Sequence, residues 1–166
     1  MTHTIQTTIE PLSSADSPQI VDLILPIQQL EFNVSITLQD QPDLLDLETY
    51  YYSTGGGFWG ARSDSRILGT IALIGMSSSA GCIRKMFVRK EYRGKEPGLA
   101  QQLLDTLIAH SRSNNVTDLY LGTVDPMKAA HRFYERNGFH RIDPAHLPAD
   151  FPRMATDTMF YHLHLK

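Results

Sequence analysis

The chain contains a single cysteine, Cys82. An intramolecular disulfide and a thiolate-based structural zinc site are thereby excluded. No run approaches the roughly 18 apolar residues of a membrane-spanning helix. The first residues also lack a basic segment followed by an apolar one, so a soluble, unsecreted, cytoplasmic protein is expected. Without a secretion signal, the glycosylation patterns Asn33-Val34-Ser35 and Asn115-Val116-Thr117 carry no meaning. There is no internal repeat and no low-complexity stretch. Positive charge is missing from the first third: no Lys or Arg precedes Arg62. Residues 1–61 carry eight carboxylates, a charge of −8, and residues 62–166 carry +5. The bland net charge of −3 therefore conceals a dipolar chain.

What is present fits one globular domain spanning 1–166. With 42% apolar and 20% charged residues, the chain has the composition of a folded protein, and its length suffices for a sizeable core. A strand is expected over Thr4 to Ile9. Ser13 to Pro18 reads as a helix entry, followed by Ile20, Leu23, Ile24, Ile27 and Leu30 at helical spacing, with Pro26 set to kink or break the helix. A second short helix opens at Asp40-Gln41-Pro42-Asp43 and stops at Gly55-Gly56-Gly57. Phe58 to Arg62 and Ile67 to Ile74 form a hairpin, and Gly81 to Val88 a further strand. A helix from about Gly98 to Arg112 places Ala100, Leu103, Leu104, Leu107 and Ile108 on one stripe. Leu119-Tyr120-Leu121 reads as a strand covered on both faces. Pro126 to about Asn137 is a helix stopped by Gly138, and Phe139 to Ile142 and Met159 to Leu165 are the last strands. The resulting order is β-α-α-β-β-β-α-β-α-β-β, an α/β domain with a mixed sheet flanked by helices.

Two places carry chemistry. In Gly81 to Val88, strict alternation puts Ile83 and Met86 on opposite faces; one extra residue, a β-bulge, puts them on the same face. A polar surface explains the intervening Arg84 and Lys85 equally well. The turn Lys95-Glu96-Pro97-Gly98-Leu99-Ala100 opens a helix whose first amides are unpaired and whose dipole is positive there. Arg93 and Lys95 add full charges, and Gly98 and Ala100 allow close backbone approach, so the segment suits a diphosphate.

These motifs resemble the Gcn5-related N-acetyltransferases. Lys95-x-x-Gly98-x-Ala100 is similar to that family's pyrophosphate loop, with Lys in place of Gln or Arg. Met86-Phe87-Val88, Tyr92-Arg93-Gly94 and Ala129 to Phe139 also look like the family, in the right order over essentially the whole chain. The resemblance implies an acetyl-CoA-dependent N-acetyltransferase acting on a primary amine by direct attack in a ternary complex. It places the pantetheine arm at Met86, Phe87 and Val88, and the diphosphate near Arg93, Gly94, Lys95, Glu96, Pro97, Gly98, Leu99, Ala100 and Gln101. In the family, a bulged strand aims a backbone N–H at the thioester carbonyl. The resemblance puts Tyr134 at the general-acid position, where a hydroxyl protonates the departing thiolate; from the residue alone it reads as a core tyrosine on the helix face with Met127 and Ala130.

The chain departs from the family at two points. Met127 replaces an Asn that contacts the cofactor in many members. Cys82 replaces a Glu that acts as base, and reads as a small buried residue. The general base is thus unassigned, with Glu31, Asp125 and His131 as candidates, Glu31 and Asp125 also as acceptor-binding residues. His3, His110, His140, His146, His162 and His164 lack zinc spacing, so no metal is expected. The −8 of the first third suggests a cationic small-molecule or peptide amine as acceptor. No membrane partner is expected, and the pI near 6.1 argues against nucleic acid. Homodimers are common for this fold. The competing reading is a non-catalytic acyl-CoA-binding or regulatory module on the same fold.

Overall fold

The computed structural model describes residues 6–94, 98–125 and 127–165. Seven strands form one sheet in the order β1-β2-β3-β4-β5-β7-β6. They are β1 (Thr8–Pro11), β2 (Gly57–Ser63), β3 (Arg66–Gly75), β4 (Ala80–Val88), β5 (Asp118–Thr123), β6 (His140–Ile142) and β7 (Met159–His164). Every pairing is antiparallel except that of β4 with β5. Helices α1 (Ser17–Pro26), α2 (Leu47–Tyr50), α3 (Leu99–Ser113) and α4 (Lys128–Arg136) flank the sheet. A mixed sheet between helices is the expected class.

Two apolar cores form, one associated with α3 and α4 and the other with α1 and α2. Alternation in β3 feeds both: Ile71 and Leu73 join Leu103, Leu104 and Leu107 of α3, and Ala72 joins Ile20, Leu23 and Ile24 of α1. On α3 the buried stripe is Leu99, Leu103, Leu104, Leu107 and Ser111, with Ala100 and Ile108 only partly covered. Ser111 can be buried because its hydroxyl donates to the Leu107 carbonyl, 2.9 Å away.

Pro26 does not end its helix outright. Proline has no N–H to continue the ladder. The chain widens into a π-turn over Ile27–Glu31, closed by the Phe32 amide on the Ile27 carbonyl at 3.1 Å. The expectation for β5 needs correction: its faces alternate, with Leu119, Leu121 and Thr123 buried and Tyr120 half-buried. Tyr120 stacks on His162, ring centres 4.5 Å apart. A neighbouring aromatic on β7 thus keeps one apolar-looking position near solvent.

Candidate functional site

β4 and β5 pair only from Ala80 to Ile83 and from Asp118 to Leu121. Beyond Ile83, β4 has no strand partner on its β5 side among the described residues. A cleft opens there, lined by β4 from Ile83 to Phe87, by Leu121, Gly122, Thr123 and Val124, and by Met127, Ala130 and Tyr134 of the α4 region. Gln28, Val34 and Ile36 close it from the segment after α1, and Met154, Thr156 and Asp157 from the segment before β7.

The bulge is present. Thr70 of β3 pairs with Phe87 and Ala72 with Arg84, so β4 spends three steps where β3 spends two. Lys85 absorbs the extra residue with a left-handed backbone, φ 56°. A non-glycine residue there carries backbone strain, so the surroundings must hold it. Thr70 Oγ1 donates to the Lys85 carbonyl at 2.7 Å, and the Lys85 ammonium donates to Gln41, which exchanges carboxamide hydrogen bonds with Gln28. The consequence is the one the spacing suggested: Ile83 and Met86 both pack toward the α3 core, while Phe87 packs toward the α1 core.

Lys85 is almost wholly buried, and loss of hydration lowers its pKa to about 8 despite the nearby Asp43. Cys82 is fully buried and its thiol is pushed up to about 12, which removes it as a nucleophile at neutral pH. Tyr134 is 5% exposed, and burial holds its phenol well above the usual tyrosine range, so it stays protonated. Its ring meets Phe133, Phe139 and Tyr161, and the described residues give its hydroxyl no hydrogen-bond partner. Tyr134 is therefore both a core residue and a cleft residue; the two readings of the sequence are compatible.

The segment expected to hold the diphosphate is described in part. Lys95, Glu96 and Pro97 lie outside the described residues. Gly94 and Gly98 take left-handed conformations, φ 66° and 72°, and a Cβ on Gly98 would meet nothing within 4 Å. Gly98 caps α3 without a side-chain hydrogen bond, and α3 begins directly at Leu99, Ala100 and Gln101. Arg93 is already engaged: its guanidinium pairs with Glu31 and donates to the Val88 carbonyl at 2.8 Å. That contact with Arg93 is what chiefly lowers the Glu31 pKa. Met86 and Phe87 line the cleft and Val88 follows at the end of the strand.

Glu31 and Asp125 are not brought into the cleft. Asp125 pairs with Lys128 at 2.8 Å, which lowers its pKa at an exposed turn. His131 is buried, its Nε2 donating to the Val124 carbonyl at 2.9 Å, and acts as a strut between α4 and the end of β5. His162 and His164 both bond to Asp118 Oδ1. The described residues contain no group of three or more His, Cys, Asp or Glu arranged to hold a metal. No described helix is long and apolar enough to cross a membrane.

One cleft residue was missed by sequence reasoning. Asp157 sits two residues before β7, and its Oδ2 accepts from the Met154 amide at 3.0 Å. Burial raises its pKa above the ordinary aspartate value. It packs on Gly122, where an added Cβ would come within 2.5 Å of Asp157 Oδ2. The only signal in the sequence was its place next to a strand end.

Comparison with known proteins gives a consistent result. The model of the acetyltransferase (GNAT) family matches residues 22–139. A solved acetyltransferase of that family from Staphylococcus aureus Mu50 superposes with a TM-score of 0.93 and 37% identity, covering 97% of this chain and 100% of that one. A PaiA N-acetyltransferase from Thermoplasma acidophilum, solved in complex with coenzyme A, shares the fold at a TM-score of 0.73 and 16% identity, over 96% of this chain and 99% of that one. N-acetylaspartate synthetase from Danio rerio is 34% identical over 102 residues, 60% of this chain. This chain spans only 36% of that relative's length.

Proposed function

The chain belongs to the acetyltransferase (GNAT) family, and from that premise we propose that it transfers an acetyl group from acetyl-CoA to a primary amine by direct attack in a ternary complex. The observation that carries this reading is the bulge at Lys85 facing Tyr134 across the opening between β4 and β5.

The residues present suit acetyl-CoA. The open edge of β4 at Met86, Phe87 and Val88 offers backbone groups to a pantetheine arm, as a neighbouring strand would. Gly98, Leu99, Ala100 and Gln101 offer the unpaired amides of a 15-residue helix to the diphosphate. Arg93, Gly94 and the segment Lys95-Glu96-Pro97 complete that loop. The bulged β4 backbone polarises the thioester carbonyl and stabilises the oxyanion that forms. The amine nitrogen forms the new C–N bond as the C–S bond breaks. Tyr134 gives its proton to the departing sulfur and regains one from the new amide nitrogen.

The test is thiol release from acetyl-CoA over a panel of amines, with the N-acetyl product identified by mass spectrometry. Intersecting initial-rate lines and no acetyl-enzyme are expected. Tight coenzyme A binding without turnover of any amine would instead establish a non-catalytic acyl-CoA-binding module.

A further inference from the structure

Residues of the first third, Gln28, Val34 and Ile36, reach the cleft, but its acidic charge does not. None of its eight carboxylates lines the opening. Glu10 and Asp16 hold Arg62, Glu31 holds Arg93, Glu48 bonds Ser14, and Asp43 faces Lys85 and Tyr51. Four of the eight, Glu10, Asp16, Glu31 and Asp43, meet internal cations, and none of the eight faces the opening, so the acidic composition by itself gives no reason for a cationic acceptor in the cleft.

The charges that do line the cleft are Arg84, Lys85 and Asp157. Lys85 is committed to Gln41 and Asp43. Arg84 is different. Its Nη1 donates to the Pro152 carbonyl at 2.8 Å, and among the described residues no carboxylate lies within the 4.0 Å of an ion pair. A half-buried guanidinium that meets no carboxylate among the described residues is a ready partner for one, which it can bind through two parallel hydrogen bonds. Asp157 stands in the same cleft, with one oxygen on the Met154 amide. Arg84 and Asp157 do not pair, yet each lies within electrostatic reach of the other. The cleft thus presents one guanidinium and one carboxyl group on its lining.

We propose that the acceptor is a small free amino acid, with its carboxylate on Arg84 and its ammonium on Asp157. The inference rests on the acetyltransferase reading and deepens it. Asp157 then takes one proton from the ammonium, which leaves the neutral amine that attacks the thioester. Its position in a partly desolvated cleft raises its affinity for that proton, the change a general base needs. The bulge supplies the reason that Arg84 is available. The extra residue lets β4 spend Lys85 on the Gln41–Asp43 cluster while its neighbour Arg84 reaches the segment before β7.

The experiment compares free amino acids with their carboxamides and with the corresponding decarboxylated amines. Two readouts are taken: thiol release with acetyl-CoA, and calorimetric binding in the presence of coenzyme A. The expected result is a KM or Kd at least tenfold lower for the carboxylate-bearing amine. Arg84→Met should erase this preference, and Arg84→Lys should retain part of it with an unchanged melting temperature. Asp157→Asn should lower kcat and restore activity as the pH is raised toward the amine's own pKa. Equal or better use of the carboxamide or of a diamine would overturn the proposal while leaving acetyl transfer intact. If no amine is turned over, the binding readout still decides: a carboxylate preference abolished by Arg84→Met supports the pocket, and its absence sinks it.

Discussion

The ammonium of Lys85 lies 3.6 Å from Asp43 Oδ2, across 42 residues of sequence, in a site where the lysine side chain is only 4% exposed. The bulge in β4 puts it there. A strand residue that should have faced solvent instead anchors the bulge to the segment that precedes α2.

Lys85 and Cys82 make stability depend on pH in opposite directions. The folded pKa of Lys85, about 8, lies below its unfolded value of 10.5, so the unfolded chain holds more protons between those pH values. Lys85 therefore contributes a stability gain as pH rises from 8 to 10.5. Cys82 goes from 9 to about 12 on folding, so it contributes a loss above pH 9. Urea midpoints compared from pH 7 to 10 should show the stability of wild type rising relative to that of Lys85→Met as pH rises. A constant difference would show that the ammonium is not desolvated. Cys82→Ala should remove the alkaline loss.

Tyr134→Phe keeps the ring that packs on Phe139 and Tyr161 and deletes only the hydroxyl. We expect kcat to fall by ~100-fold or more with little change in coenzyme A affinity. Because burial keeps the phenol protonated, the wild-type rate should show no alkaline decline from this group up to about pH 10. Unchanged turnover in the variant would remove Tyr134 from the chemistry.

Gly98→Asp tests the loop. The position is left-handed but spacious, so the fold should persist at a cost of about 1–2 kcal/mol. The new carboxylate would repel a diphosphate at the start of α3. Calorimetry should find coenzyme A binding lost while the circular dichroism spectrum is retained.

Gly122→Ala tests the floor of the acceptor pocket. Its Cβ would collide with Asp157 Oδ2 and drive that carboxylate away from its place. The expected outcome is a raised acceptor KM with unaltered coenzyme A affinity. Equal effects on both ligands would mean that the substitution disturbs β5 as a whole.

The parts legible in the sequence were those encoded locally. The spacing of Ile83 and Met86 left room for the bulge, and the leucines of α3 announced a buried stripe. The family motifs located the helix entry at Gly98 and the tyrosine on α4. What composition could not show was the destination of charge. Eight carboxylates in 61 residues look like one acidic surface, but folding brings Arg62, Arg93 and Lys85 to several of them. Asp157 was invisible for the same reason: its role follows from the approach of two distant segments at Gly122. Tyr120 misled because an apolar neighbourhood in sequence does not specify what lies on the other face.

The short parallel ladder between β4 and β5 is a seam. Strands β1 to β4 lie on one side and β5 to β7 on the other, and the chain crosses once, through α3. The bulge belongs to one side and Tyr134 and Asp157 to the other. Any molecule that touches both is then a clamp across this four-residue parallel join, and its binding energy adds to the cohesion of the two halves.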